Sequence, residues 1–166
     1  MAMTSGPNKT KEFAAAKDPN TDPVKLRKIF NKWWAKRLND DYFCEYLDVL
    51  GQNPSLPEDL LRQLTTHVNH SVRGSVITNP NTPRDILIKL ATDPAAYNRT
   101  QVAGYSHLPW EDLKPFTDGT TEDHLLFTLW VLRNPNTPMS FIKDQQQHSD
   151  AEISHYATLE FNKRSA

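Results

Sequence analysis

The chain has 166 residues, 37% of them hydrophobic, a single cysteine and a net charge of −1. This is enough apolar material for a self-sufficient core, and one cysteine excludes both a disulfide framework and a cysteine-held zinc or iron–sulfur centre. No apolar run approaches the roughly 18–20 residues of a membrane span, and no secretory apolar stretch opens the sequence, so a soluble cytoplasmic protein is expected.

The small net charge hides an asymmetry. Residues 1–38 hold nine Lys/Arg against three Asp/Glu, net +6, whereas residues 39–166 hold ten against seventeen, net −7. Twelve prolines stand against five glycines, a composition well below the roughly 25–30% Pro plus Gly of low-complexity chains. Proline here is punctuation.

Residues 1–17 are polar up to Phe13-Ala14-Ala15-Ala16 and read as an N-terminal arm. Residues 18–160 read as one helical-repeat domain and 161–166 as a polar C-terminal tail, with both ends expected to fray. Nine prolines fall into a recurring pattern: Asp18-Pro19-Asn20-Thr21-Asp22-Pro23, Asn53-Pro54-Ser55-Leu56-Pro57, Asn79-Pro80-Asn81-Thr82-Pro83, Tyr105-Ser106-His107-Leu108-Pro109 and Asn134-Pro135-Asn136-Thr137-Pro138. The second prolines are 34, 26, 26 and 29 residues apart, a spacing typical of helical repeats.

The first proline of each pair forces the residue before it out of helical geometry and ends the preceding helix. The second suits a first helical position, and Asp22, Thr82 or Thr137 just before it is placed to cap the new helix. Asp85, three residues after Thr82, completes an acidic capping box. Apolar rows then follow at helical spacing: Leu60, Leu61 and Leu64, and next Ile86, Leu87, Leu90 and Ala91. A second short helix per unit is marked by Val72, Val76 and Ile77, by Val102 and Ala103, and by Leu125, Leu126, Leu129, Trp130 and Leu132. A helix pair of this kind buries its apolar face only by stacking on its neighbours, so an all-α solenoid of about five helix pairs is expected.

These units resemble the leucine-rich repeat variant family, whose repeats read approximately Asn-Pro-x-Thr-Pro-x-x-Leu-Leu-x-x-Leu-Ala-x-Asp, followed by Val-Arg-x-x-Val-Ala. The likeness is best from Asn53 to Val102, in Asn79-Pro80-Asn81-Thr82-Pro83, Ile86-Leu87, Leu90-Ala91, Asp93, Val72-Arg73 and Val76-Ile77. It implies a right-handed superhelix of alternating α- and short α- or 3₁₀-helices, similar to HEAT and armadillo arrays, and a bacterial or phage source; a phage origin would place the protein in the virion. It implies no reaction. Some members carry a cysteine-rich cluster-binding segment, from which this chain departs with Cys44 alone, and Asp18, Tyr105 and Ser106 depart from the repeat consensus.

The first helix, from Pro23 to about Leu38, is the most unusual in composition. Leu26, Ile29, Phe30, Trp33 and Trp34 cover one arc, and Lys25, Lys28, Lys32 and Lys36 form a stripe beyond it, with Arg27 and Arg37 flanking the aromatics. This is either a surface for an anionic partner or a solvated end cap. Trp33 belongs to the core, and Trp34 at the margin is the exposed one. Asn53, Asn79 and Asn134 are placed to bond backbone groups freed at the prolines. Arg73 and Arg99 align between units and are expected to meet carboxylates or helix-end carbonyls of the next unit, or else a phosphate. Trp110, close to Tyr105 and Tyr97, is a candidate interface anchor.

Six histidines fall in no recognised zinc pattern, and no nucleophile elbow or phosphate loop is present. No cofactor, no metal and no catalytic residue are therefore expected. The expected function is a non-enzymatic scaffold or adaptor that binds a protein partner, as a component of a larger assembly. The alternative is a nucleic-acid-binding solenoid in which the lysines meet phosphates and Trp34 stacks on a base. The partner-binding candidates are Lys25, Lys28, Lys32, Trp34, Lys36, Arg37, Arg73, Arg99 and Trp110.

Overall fold

A computed structural model of the chain describes residues 11–35, 42–105, 108–119 and 124–166. Among the described residues the protein is all-helical, with no strand. The α-helices are α1 (Lys11–Lys17), α2 (Pro23–Trp34), α3 (Tyr42–Gly51), α4 (Glu58–Leu64), α5 (His70–Gly74), α6 (Arg84–Leu90), α7 (Ala96–Tyr105), α8 (Trp110–Leu113), α9 (His124–Arg133), α10 (Met139–Gln145) and α11 (Ala151–Ser165). Short 3₁₀ turns, Ser75–Thr78 and Lys114–Thr117, extend α5 and α8. The chain divides into two compact units, Met1–Ile86 and Leu87–Ala166.

Both presumed arms contain ordered helix. Phe13, Ala15 and Ala16 of α1 are buried, and the Phe13 ring meets Tyr46 edge-on at 5.3 Å. Apolar burial on one side of a short Ala-rich run is what holds it. At the other end α11 continues through Ser165, across the expected tail.

The proline-marked turns share one hydrogen-bond scheme. Asn53, Asn79 and Asn134 are at most 2% exposed. Each Oδ1 accepts the N–H two residues on, from Ser55 (2.8 Å), Asn81 (2.9 Å) and Asn136 (2.9 Å). Each Nδ2 donates backward along the chain. In the first unit Asn53 reaches the carbonyls of Ala16 (2.6 Å) and Asp18 (3.0 Å), and Asn79 reaches those of Gly51 (2.8 Å) and Asn53 (2.7 Å). In the second, Asn134 reaches Ala103 (2.8 Å). The amides therefore satisfy carbonyls left over where the preceding helices stop.

Thr82 and Thr137 do not cap helices. Their hydroxyls donate to the carbonyls six residues earlier, Val76 and Val131, both at 2.5 Å, as Thr21 does to Ala15 at 2.7 Å. Donating this proton leaves the hydroxyl oxygen able to accept, so what removes the threonines from the cap is where the helices start: α6 and α10 begin at Arg84 and Met139, one residue past the proline. Prolines consequently stand one place earlier than expected: Pro57, Pro109 and Pro138 are the N-caps of α4, α8 and α10, without a side-chain cap bond. Only Asp22 caps as expected, accepting from Val24 (2.8 Å) and Lys25 (3.2 Å) ahead of Pro23 at the start of α2. Asp85 pairs with Arg62, which also holds Glu58 at 2.7 Å, and completes no capping box.

In the second unit the last turn is closed by an arginine. Arg164 Nη2 donates to Leu132 and Asn134, both at 2.9 Å, and Nη1 to Thr137 at 3.1 Å. Leu132 and Asn134 correspond in position to Gly51 and Asn53, the carbonyls that Asn79 takes in the first unit. Glu160 orients the guanidinium by accepting from Nε at 2.7 Å. Burial pushes the Glu160 carboxyl up, but its bonds to Arg164 and Lys163 outweigh this and hold it below the usual range. A carboxylate held low stabilises the fold above its unfolded pKa, and that contribution disappears as pH falls through the folded value. Thermal melting of the wild type should therefore lose a step of stability as pH falls below about 4.5. Arg164→Ala should lower stability by about 1.5 kcal/mol at neutral pH and shrink that acid step, whereas Arg164→Lys recovers only part, since an ammonium lacks the fork that spans three carbonyls.

The buried rows agree with the sequence in α4, α5 and α6, where Leu60, Leu61, Leu64, Val72, Val76, Ile77, Ile86, Leu87, Leu90 and Ala91 are core. Helix α9 is phased differently. Phe127, Thr128, Val131 and Leu132 are buried, whereas Leu125 and Leu126 are 39% and 44% exposed. Its sequence is apolar nearly all round, so periodicity alone does not set the inward face. Cys44 is half-buried.

Candidate functional site

Helix α2 presents the lysine stripe. With 3.6 residues per turn, Lys25, Lys28 and Lys32 share a side, adjoining Ile29 and facing away from Phe30 and Trp34. Helix α1 lies along that side, and the two helices bound an open groove of about 480 Å³ lined by Lys11, Glu12, Lys25, Lys28, Ile29 and Lys32. Ile29 is buried at its floor, while Lys11, Lys25 and Lys28 are exposed and form no ion pair among the described residues.

Glu12 is the fixed point of the wall. Lys32 Nζ donates to its two oxygens at 2.7 and 3.0 Å, and Trp33 Nε1 donates to Oε2 at 3.3 Å. Trp33 is 2% exposed and packs edge-on to Tyr46, centroids 4.1 Å apart. The groove is thereby tied to the core of its unit.

Trp34 lies elsewhere. Helical geometry puts it about 150° around α2 from the lysines. It stacks on Phe30 at 5.3 Å with the planes 13° apart, and meets His67 edge-on at 5.6 Å. Arg27, beside it, makes a two-pronged bond to Asp59 at 2.6 and 2.7 Å, and that bond holds the Asp59 carboxyl below its usual range. The structure does not bring Trp34 and the lysines to one surface, as the nucleic-acid alternative requires.

The other candidates have work in the fold. Arg73 Nη1 donates to the carbonyls of His67 (2.9 Å) and Val68 (2.8 Å), and Arg99 Nη1 to those of Asp93 (2.5 Å) and Pro94 (3.0 Å). Each of these bonds goes to the turn that precedes the arginine's own helix. His67 Nδ1, Asp93 Oδ1 and His148 Nδ1 serve equivalent turns, each accepting the N–H two residues on, at 3.1, 2.8 and 3.0 Å. Trp110 is half-buried with its ring 4.6 Å from Phe141, while Tyr97 is 60% exposed. Lys36 and Arg37 lie outside the described residues.

Of the nine candidates, the structure gathers Lys25, Lys28 and Lys32. Lys11, Glu12 and Ile29 join them without having been singled out in the sequence. The signal for the first two is the run Lys11-Glu12-Phe13-Ala14-Ala15-Ala16-Lys17, whose alanines favour helix and whose apolar residues fall on one side.

A smaller groove of about 170 Å³ in the second unit is lined by Leu126, Leu129, Trp130, Arg133, Glu152 and Tyr156. The Arg133 guanidinium lies 5.5 Å from the Trp130 ring centre and 5.1 Å from that of Tyr156. Among the described residues no three His, Cys, Asp or Glu side chains are grouped to hold a metal ion, and no helix is long and apolar enough to cross a membrane. Comparison with family models, curated proteins and solved structures gave no match.

Proposed function

We propose that the chain is a non-enzymatic helical-repeat scaffold that binds a protein partner through the lysine face of α1 and α2. The observation that carries this reading is a division of labour among polar side chains. The asparagines, threonines and arginines of the recurring turns spend their hydrogen bonds on backbone carbonyls, whereas Lys11, Lys25 and Lys28 stand exposed along a groove with no such duty. Like charges gathered on one surface cost stability through mutual repulsion, and a partner of opposite sign removes that cost. The recurrence of one bonding scheme at Asn53, Asn79 and Asn134 also favours a stacked array resembling the leucine-rich repeat variant proteins.

A protein partner is favoured over nucleic acid because Trp34 packs on Phe30 and His67, away from the lysines, and is not set to stack on a base. The test is affinity capture from source-cell extract at physiological salt, using the wild type and a Lys25→Glu/Lys28→Glu chain. Capture of a discrete protein by the wild type that the charge-reversed chain loses supports the reading. Equal capture by both chains, or a monomer recovering no protein, contradicts it.

A further inference from the structure

We propose, resting on the scaffold reading, that the groove between α1 and α2 takes a short acidic peptide of the partner, its carboxylates on Lys11, Lys25 and Lys28 and one apolar side chain over Ile29, with Glu12 acting against polyphosphate backbones. The groove is electrically uneven. Three of its lysines are exposed and form no ion pair among the described residues, and the fourth, Lys32, is already met by Glu12 at 2.7 Å. An occupant therefore needs negative charge at one side and none opposite Glu12.

A peptide meets that pattern. Along α2, Lys25 and Lys28 are about 4.5 Å apart and Lys32 about 6 Å further on. An extended peptide advances about 3.3 Å per residue with alternate side chains on one side, so it can present a carboxylate, then an apolar group, then a neutral residue to successive points of this groove. A nucleic-acid strand carries a charge at every nucleotide and has no neutral position to set against Glu12. That carboxylate does not swing away easily, being held by Lys32 on two oxygens and by Trp33 Nε1 on one. A volume of about 480 Å³ seats a few side chains, and the buried Ile29 offers an apolar contact that phosphates do not use.

The test is fluorescence anisotropy on the full chain with three dye-labelled probes: a short peptide of glutamates followed by one leucine and then serines, the same peptide with glycine in place of the leucine, and single-stranded oligothymidylate. The leucine peptide should bind most tightly, with affinity falling as salt rises. Lys25→Ala/Lys28→Ala should weaken it at least about tenfold without lowering the melting temperature, since both side chains are exposed and their removal relieves like-charge repulsion. Loss of the leucine should cost about tenfold. Glu12→Gln, which keeps an acceptor for Trp33 and releases Lys32, should narrow the preference for peptide over oligothymidylate several-fold. Oligothymidylate binding as tightly as the peptide, or a lysine variant that binds like the wild type, overturns the proposal. If the wild type captures a protein partner but binds neither peptide, the groove assignment falls and the scaffold reading stands; if no partner is captured, the scaffold reading falls whatever the peptides do.

Discussion

Asn79→Ala is expected to destabilise the protein by about 3 kcal/mol, the largest loss anticipated for a single polar side chain in this fold. The amide donates to Gly51 and Asn53 and accepts from Asn81, at 2.7 to 2.9 Å, and the residue is 1% exposed. Alanine removes all three bonds and supplies no water route to the two carbonyls left behind. Leaving buried partners unmade costs more than the net worth of the bonds, which is why the loss exceeds that of an ordinary surface contact. For a chain of this length about 3 kcal/mol corresponds to a fall of roughly 6–12 °C in melting temperature, readable by circular dichroism. The control is Asn81→Ala. Asn81 also crosses to the preceding turn, donating to Pro54 at 2.7 Å, but it is exposed and water can replace the bond, so a change within about 1 kcal/mol is expected. Equal losses at the two positions would show that burial of the amide is not what makes Asn79 matter.

Gly51→Ala should cost about 2–3 kcal/mol even though alanine is the better helix former. Gly51 ends α3 against the 3₁₀ turn Ser75–Thr78, and a Cβ there would stand 1.8 Å from Ser75 Oγ, 2.7 Å from Ser75 Cβ and 3.2 Å from a Leu64 methyl. Rotating the serine does not relieve the contact, because Ser75 Cβ is fixed by its backbone and Oγ is bonded to Val72 O at 2.8 Å. Pushing α3 outward also moves the Gly51 carbonyl that Asn79 holds, so the steric cost and the hydrogen-bond cost arise together. Ser75→Gly in the Gly51→Ala background should restore most of the loss, and Ser75→Ala only part of it, because the Cβ contact remains. A double-mutant cycle on thermal or urea unfolding reads this coupling, and additive losses would contradict the close approach.

Much of the architecture was legible in the prolines. They place the turns, and the asparagine ahead of the first proline is the residue that binds backbone carbonyls, as the sequence suggests. What the threonine hydroxyls do was not legible: Thr82 and Thr137 have the composition of N-caps, but α6 and α10 start one residue later than that pattern implies, and each hydroxyl donates to a carbonyl six residues back. The C-terminal end was no more legible. Arg164 sits in a polar tail by composition, yet its guanidinium takes the three carbonyls of Leu132, Asn134 and Thr137, a role visible only once the turn is folded. In α9 an almost wholly apolar sequence carries no phase, and Leu125 and Leu126 end on the outer side. At the candidate site a helical wheel was enough to group Lys25, Lys28 and Lys32. The opposite wall, Lys11 and Glu12, depends on where α1 packs, which no periodicity within α2 encodes.

Lysine-reactivity footprinting of the chain, alone and in complex with its captured partner, tests the proposed binding face most directly. Acetylation of exposed amines followed by mass spectrometry reads each lysine separately. Strong protection of Lys11, Lys25 and Lys28 is expected in the complex, with Lys89 and Lys143, which lie outside the groove, labelled as in the free chain. Unchanged labelling of the three groove lysines, with protection confined to Lys89 or Lys143, would place the partner elsewhere and contradict the proposed binding face.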